Sequence, residues 1–461
     1  MDPLRVCINT QTPLLQFPGP DDGMAPLWTI EHDLSKMHEG TDYRFSPGGV
    51  TRMIYPLAKR LIEQGVWKDV HWIALNPNAP ESVPLPGMTL HNVTIDRDRM
   101  GGYGKVKEAI WTTVHGLDGD GTGPKLSDNL FWTDDYGEYT FYNRTSAELM
   151  RELDQKVDFD LFYVHDFQQL PIGQMLGTLK PKVFRWHIPF DAARIPEQWR
   201  PVFTSYLKAY DVVVVSSDRY RAALKRFGHK GRVVRLYPFV DPAEYGHPMP
   251  EEASRTVARW NIGPKDTVAL VVGRLDPMKG QDRVVTALGN LKTRFPHLKV
   301  VLAGNGSFSS ARTGLGLSKS ASWRQHLEQV ATEAGVRERV VLTGHVTQPE
   351  LDSLYERCAF AVLSSTFEGF GLVVVESWLH HRPTIVSDRA GVADLIRDGE
   401  NGLLFDPEEP GALERQMRRI LGSRGDLAKR LGEAGAATAR LCSIDAAARA
   451  ESRLVGEVVE D

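Results

Sequence analysis

Ten short apolar runs, separated along most of the chain by segments of helical periodicity, leave few folds open. They are VCI (6–8), HWIAL (71–75), LFYVH (161–165), KVFRWH (182–187), DVVVVSS (211–217), TVALVVG (267–273), KVVLAG (299–304), RVVLTG (339–344), FAVLSS (360–365) and PTIVSD (383–388). Several are apolar at every position, as strands covered on both faces must be. Between them, RVVTALGNLKTRF places Val285, Leu288, Leu291 and Phe295 three or four apart, the stripe of a helix lying on a sheet. This alternation predicts parallel sheets and an α/β architecture.

A chain of 461 residues has room for two or three domains. The break falls in RLYPFVDPAEYGHPMPEE, whose Pro238, Pro242, Pro248 and Pro250 follow the strand-like VVRLY and mark a linker at 238–255. We therefore expect two doubly wound, Rossmann-like domains facing a cleft, over 1–245 and 246–440. The remainder, 441–461, reads as an amphipathic helix that packs on its own domain or crosses back to the first. Ligands of open α/β sheets bind beyond the carboxyl ends of the strands, so functional motifs should follow strands closely.

Charge excludes some partners. With 55 Lys and Arg against 59 Asp and Glu the net charge is −4, so no bulk positive field favours nucleic acid or an anionic membrane. No apolar stretch reaches the ~18 residues of a membrane span, and MDPLRVCINT reads as a first strand from Leu4 to Ile8 rather than a leader. Cys7, Cys358 and Cys442 have no zinc or redox spacing and fit buried thiols in a reducing cytoplasm. Residues 116–128 read as a turn despite a faint calcium-loop pattern at Asp118 and Asp120, and 307–323 as a surface loop.

Two motifs carry the chemistry. In SSTFEGFGLVVVESW (364–378) a strand end meets Gly369-Phe370-Gly371, and a helix follows from Leu372. A helix N-terminus has unpaired amides and partial positive charge, so it accepts phosphate. Glu368 then lies before the helix, near whatever the phosphate carries, and Glu376 about one and a half turns in. A carboxylate suits a vicinal diol such as a ribose. The alternative is a plain helix with two solvated glutamates. In VALVVGRLDPMKGQD (268–282), Arg274 and Lys279 follow a strand that ends at Gly273, and two cations there can neutralise a departing diphosphate; otherwise they are ordinary loop cations. Gly304 and Gly306 offer a third turn. Backbone groups at His345 and Val346 could read a base edge.

In the first half, Gly48-Gly49 precede a helical stretch and offer a backbone approach to phosphate or sugar, or a simple turn. Pro56 should kink that helix or mark its true start. His165, Asp166 and His187 end strands and suit sugar hydroxyls, although a histidine there can equally be structural. Trp132, Tyr136, Tyr139 and Tyr142 could stack on a sugar or fill core.

GRLDPMKG, EGFGLVVVE further on, and the tail GVADLIRDGENGLLFDP together resemble the retaining nucleotide-sugar glycosyltransferases of the GT-B fold, most specifically over 260–405. The resemblance implies that Arg274 and Lys279 bind the donor diphosphate, Glu368 the donor sugar and Glu376 the ribose. It places the turn Gly369-Phe370-Gly371 and Leu372 against sugar and phosphate; the expected donor-binding set also takes in Gly49 and Val346 from the residue reading above. VHDFQQLP and RWHIPFD are similar to the trehalose-forming branch, which puts Asp166 and His187 beside the reacting sugars. The catalytic set is then Asp166, His187, Arg274, Lys279 and Glu368. Two departures argue against a phosphorylated acceptor: INTQTPL lacks an Arg after the first strand, and Glu368 stands where that branch has Asp.

The expected reaction moves a hexosyl group, glucose first, from a nucleoside-diphosphate sugar to a small sugar acceptor, with an α-linked product such as trehalose. The donor is a substrate, and neither a cofactor nor an essential metal is expected. Location is expected to be cytoplasmic, with a homodimer left open. Other donors or acceptors, or a phosphorylase or epimerase on the same fold, remain alternatives. A dehydrogenase is disfavoured because VCINTQTPLL has no G-x-G-x-x-G.

Overall fold

A computed structural model describes residues 2–17, 37–46, 49–77, 79–115, 129–304, 315–423 and 425–460. The chain divides into two compact units, Met1–Tyr237 with Ala447–Asp461, and Pro238–Ala446. The division falls at 237/238, where 245/246 was expected. The expected linker starts the second unit instead, with a short turn at Pro242–Glu244 and a helix at Pro250–Ala258.

Among the described residues, the first unit holds strands β1 (Leu4–Thr10), β2 (Leu15–Gln16), β3 (Arg44–Phe45), β4 (Trp67–Leu75), β5 (Ser82–Leu85), β6 (Met88–Val93), β7 (Leu161–His165), β8 (Lys182–Arg185), β9 (Val212–Val215) and β10 (Arg232–Arg235). Eight of them form one sheet in the order β10-β9-β8-β7-β1-β4-β6-β5. It is parallel except for β5, which runs antiparallel to β6. The second unit holds β11 (Thr267–Val272), β12 (Leu298–Ala303), β13 (Val340–Gly344), β14 (Phe360–Leu363), β15 (Thr384–Ser387) and β16 (Leu403–Phe405), all parallel, in the order β13-β12-β11-β14-β15-β16.

Both sheets reverse their direction of growth at one strand pair, β1/β7 in the first and β11/β14 in the second. Loops leaving the carboxyl ends of such a pair run to opposite faces and open a crevice between them. The motif-bearing loops follow these strands: His165 and Asp166 end β7, Arg274 and Lys279 follow β11, and Glu368 follows β14.

All ten expected runs are strands, and LVVVESWL is helical over Leu372–Leu379. Other expectations need correction. Pro56 does not start its helix, which runs unbroken from Gly49 to Glu63 and buries Met53, Ile54, Leu57, Ala58 and Leu61. Within the expected loop 307–323 a helix begins at Leu315; residues 305–314, and with them Gly306, lie outside the described residues, as do Pro47, Gly48 and the insert 116–128. Trp132 is exposed, whereas Tyr139 and Tyr142 are core. Among the described residues, no helix is long and apolar enough to cross a membrane.

The C-terminal helix, Ile444–Glu460, turns Ala448, Leu454, Val455 and Val458 inward. On the same face Glu451 is 1% exposed and meets Arg185 of β8 at 3.0 Å. Neither charge has water to retreat to, so each depends on the other. Glu451→Ala should therefore lower the unfolding free energy by about 3–5 kcal/mol, while the joint replacement Arg185→Met with Glu451→Leu should cost far less. Urea denaturation of the wild type and both variants measures this, and a small loss in the single variant would refute it.

Candidate functional site

In the second unit, the loops after β11 and β14 are stitched together. Asp276 caps a tight turn at Pro277–Lys279 by accepting from the Met278 amide. The Met278 carbonyl accepts from the Thr366 amide at 2.9 Å and the Thr366 hydroxyl at 3.2 Å, and the Ser364 hydroxyl donates to the Lys279 carbonyl at 2.7 Å. Gly280 closes the turn at φ +60°, and a Cβ there would stand 2.4 Å from the Ser364 carbonyl oxygen. Only glycine allows this approach.

The stitching sets Lys279 beside Glu368. The Lys279 Nζ donates to Glu368 Oε2 at 2.5 Å, and the Ser365 hydroxyl donates to the same oxygen at 3.1 Å. Burial pushes the Glu368 carboxyl up, but the Lys279 ammonium, the Ser365 hydroxyl and the nearby Arg274 charge outweigh it and hold the group below the usual range. Arg274 itself is exposed. Its carbonyl accepts from the Gln281 side chain at 2.7 Å, which fixes the backbone and leaves the guanidinium at the surface.

The Gly369-Phe370-Gly371 turn lies against the 390–392 segment. The Gly391 amide donates to the Glu368 carbonyl at 3.2 Å and the Val392 amide to the Phe370 carbonyl at 2.9 Å, with the Phe370 ring buried. Gly371, at φ +101°, is the N-cap of the helix that Leu372 opens. An amide-rich helix start therefore adjoins a lysine–glutamate pair. Glu376 is placed apart from that pair, where its Oε2 accepts from the Tyr355 hydroxyl at 2.8 Å and the Tyr245 phenol stands near enough to act on the carboxylate electrostatically. Burial raises its pKa and the two phenols oppose the rise. The two glutamates thus have oppositely displaced affinities for a proton.

The remaining second-unit residues are less committed. Val346 packs its side chain against the core around Val268, Leu270 and Leu354. The Gly304 amide donates to the Gly344 carbonyl at 3.0 Å, tying together the exits of β12 and β13. Gly49, in the first unit, is exposed at the start of its helix, and nothing lies within 4 Å of where a Cβ would be.

In the first unit Asp166 and His187 come together. The His187 amide donates to Asp166 Oδ1 at 3.4 Å, and the Asp166 amide to the Arg185 carbonyl at 2.8 Å. His187 Nε2 and His165 Nδ1 share a hydrogen bond at 3.1 Å. Burial, aided by the Arg185 charge, holds both histidines well below their usual pKa, so they are neutral. Burial likewise raises the Asp166 carboxyl to about 7 against the amides of Phe167 and His187. Its backbone, at φ 71° and ψ 167°, lies in a region that is essentially glycine's and costs roughly 1–3 kcal/mol. Three side chains hold it there: Tyr139 donates to the Phe167 carbonyl, and Asn143 and Tyr210, which the sequence did not single out, donate to those of Gln168 and Leu170. Ser365, Tyr245 and Tyr355 were missed in the same way. The Ser-Ser-Thr run before Glu368 was the available signal for Ser365. Among the described residues, no group of three or more His, Cys, Asp or Glu is placed to hold a metal ion.

Residues 254–438 match the family described as "Glycosyl transferases group 1" and residues 47–244 the one described as "Glycosyltransferase Family 4". A D-inositol 3-phosphate glycosyltransferase of Streptomyces bingchenggensis is 28% identical over 255 residues, 54% of this chain and 54% of that protein. A trehalose synthase of Thermococcus litoralis is 24% identical over 298 residues, 64% and 68%. The chain spans about half the length of the first curated relatives it matches. Among solved structures, an α,α-trehalose 6-phosphate synthase from Burkholderia multivorans aligns with a TM-score of 0.71 at 16% identity, covering 99% of both chains. Anabaena HepE in complex with UDP and glucose aligns at 0.66 and 16%, covering 98% of this chain and 99% of that one. At such identities the likeness is one of fold.

The buried Asp166 carboxyl gives a pH signature. Its folded pKa of about 7 lies above the unfolded value near 3.9. The folded state therefore keeps a proton that the unfolded state releases, and stability should fall as pH climbs from about 4 to about 7, levelling beyond. Asp166→Asn removes that decline, so denaturation midpoints of variant and wild type should diverge in favour of the variant across this window, by ~3–5 kcal/mol in total. Parallel pH profiles would refute the assignment.

Proposed function

We propose that this chain, which belongs to the GT-B glycosyltransferases with a family 4 N-terminal half and a group 1 C-terminal half, transfers a hexosyl group from a nucleoside-diphosphate sugar to a free sugar, with retention at the anomeric carbon. The observation that carries this reading is the Lys279–Glu368 pair beside the Gly371-capped helix start at the β11/β14 crevice. A cation, the amide end of a helix and an ionised carboxylate in one place suit a sugar joined to a diphosphate. Arg274, Lys279 and the helix amides take the diphosphate, Glu368 the sugar hydroxyls and Glu376 the ribose.

Chemically, the bond between C1 and the diphosphate oxygen breaks, and the acceptor oxygen bonds to C1 from the same face. The acceptor's proton passes to the departing diphosphate. Charge grows on the leaving oxygen, where fixed cations and amides stabilise the transition state most. No protein nucleophile is invoked, because Glu368 and Glu376 serve different ends of the donor rather than flanking one bond. Asp166 and neutral His187 handle hydroxyls of the reacting sugars.

A free sugar as acceptor is favoured because the exit of β1, Thr10–Gln11–Thr12, carries no cation for a phosphate. The Thr10 hydroxyl is spent internally, accepting from the Trp72 indole and donating to the Thr12 carbonyl. Glucose as donor sugar and trehalose as product are supported by the trehalose synthase relative and by the VHDFQQLP and RWHIPFD motifs.

UDP-, ADP- and GDP-linked glucose and mannose, offered with free and phosphorylated glucose, test the reading. Nucleoside diphosphate release should require the acceptor, and the disaccharide should be α-linked by NMR. Lys279→Ala should lower kcat/KM by about 10²–10³. A β-linked product would overturn retention, and turnover with phosphorylated glucose alone would overturn the free-sugar acceptor.

A further inference from the structure

Glu376 sits in a cage that the chemistry above does not use. The helix Gln348–Arg357 presents Tyr355, whose buried hydroxyl is 2.8 Å from Glu376 Oε2. Tyr245 brings a second phenol to the same carboxylate from just beyond the Pro242–Glu244 turn. Each phenol is fixed in turn. Tyr355 stacks on His380, with ring centroids 5.2 Å apart and planes 18° from parallel, and Tyr245 meets the same imidazole edge-on at 6.4 Å. His380 Nε2 lies 3.2 Å from Asp352 Oδ1. Asp352 Oδ2 accepts from the Gly246 amide at 2.8 Å, so the residue next to Tyr245 is tied to the helix that carries Tyr355.

The cage constrains a carboxylate that would otherwise rotate on a flexible side chain. The Tyr355 hydroxyl bond, with the Tyr245 phenol beside it, favours its ionised form and occupies part of its lone-pair capacity. What remains is aimed by geometry, and buried, aimed acceptors discriminate sharply between a ligand that carries the matching hydroxyl and one that lacks it. We propose that Tyr355 and Tyr245 are positioning residues that hold the Glu376 carboxylate for the ribose diol of the donor, so that selection of ribo- over 2′-deoxyribonucleotides depends on the two phenols. This rests on the reading of Glu376 as the ribose ligand.

The test is calorimetric binding of UDP, ADP and GDP, each beside its 2′-deoxy counterpart, to the intact chain. The wild type should bind one ribonucleotide about tenfold or more tighter than its deoxy form, about 1.4 kcal/mol. In Tyr355→Phe the preference should shrink to within about threefold, because the ribonucleotide weakens while the deoxynucleotide does not. General loosening would weaken both. KM for the donor should rise with kcat little changed, the mark of lost ground-state binding. Tyr245→Phe, at a half-buried position, carries the same test should the buried variant not fold. Glu376→Gln is measured alongside. If it keeps the wild-type preference, or if none of the three diphosphates binds the wild type, the ribose reading itself fails. If Glu376→Gln loses the preference and a folded phenylalanine variant keeps it, the cage is overturned and the ribose reading stands.

Discussion

The reversal of strand order in a parallel sheet governs where this molecule can act. Parallel strands need crossovers, and crossovers keep one hand, so a sheet that grows first one way and then the other must leave two adjacent strands whose exit loops part to opposite faces. In the second unit those strands are β11 and β14, and in the first β1 and β7. Each unit obeys the rule by itself. The GRLDPMKG loop and the EGFG loop are 89 residues apart at Lys279 and Glu368, yet their parent strands are hydrogen-bonded neighbours, which is why the ion pair can form. The Thr366, Ser364 and Gly280 contacts then turn neighbourhood into register.

Electrostatics sorts the buried acidic groups within each unit. Glu368, Glu376 and Asp166 are all largely withdrawn from water, and burial alone would raise each of them. They diverge through their partners. Glu368 faces an ammonium and is held down; Glu376 has phenols and the opposed charges of His380 and Asp352, too little to offset burial, and stays above its usual value; Asp166 has two backbone amides and rises to about 7. Close to Asp166, the histidines are kept neutral by the combination of burial and the Arg185 charge, and Arg185 is itself tolerated only because Glu451 returns from the C-terminal helix.

Much of the fold was legible because doubly covered parallel strands are apolar throughout, as β9 and β14 are, or nearly so, as β7 and β11 are but for one terminal residue. The hairpin β5–β6 did not, since SVPLPGMTLHNV mixes Pro84, Gly87 and polar residues, as the edge of a sheet with one solvated side does. β16 has only three residues. Of the candidate site, Arg274, Lys279 and Glu368 could be read because they follow a strand end and lie close to a glycine, and Glu376 because it falls in the helix that the Gly369-Phe370-Gly371 turn opens. Arg185 and Glu451 are 266 positions apart, and a glutamate on an amphipathic helix reads as solvated; nothing local betrays that it faces inward. Tyr355 was hidden for the opposite reason, since a tyrosine on the buried face of a helix looks like core until its hydroxyl is followed to Glu376.

Asp166 brings these threads together. A non-glycine residue at φ 71°, ψ 167° is held there only when its surroundings over-determine it. The surroundings are identifiable: Tyr139 and Asn143 on the helix Asp134–Val157 and Tyr210 before β9 together claim the carbonyls of Phe167, Gln168, Gln169 and Leu170. Of the aromatics that sequence left between sugar platform and core, Tyr139 is core of a particular kind, since its hydroxyl fixes the loop, while Trp132 stays exposed. A glycine at 166 would relieve the backbone, and a solvated aspartate would not need the loop pinned at all. That a carboxyl is nonetheless kept there, buried and beside a neutral histidine, is hard to account for by stability, because every element of the arrangement costs some. Such a group suits the role proposed above for Asp166, that of handling a hydroxyl of a reacting sugar.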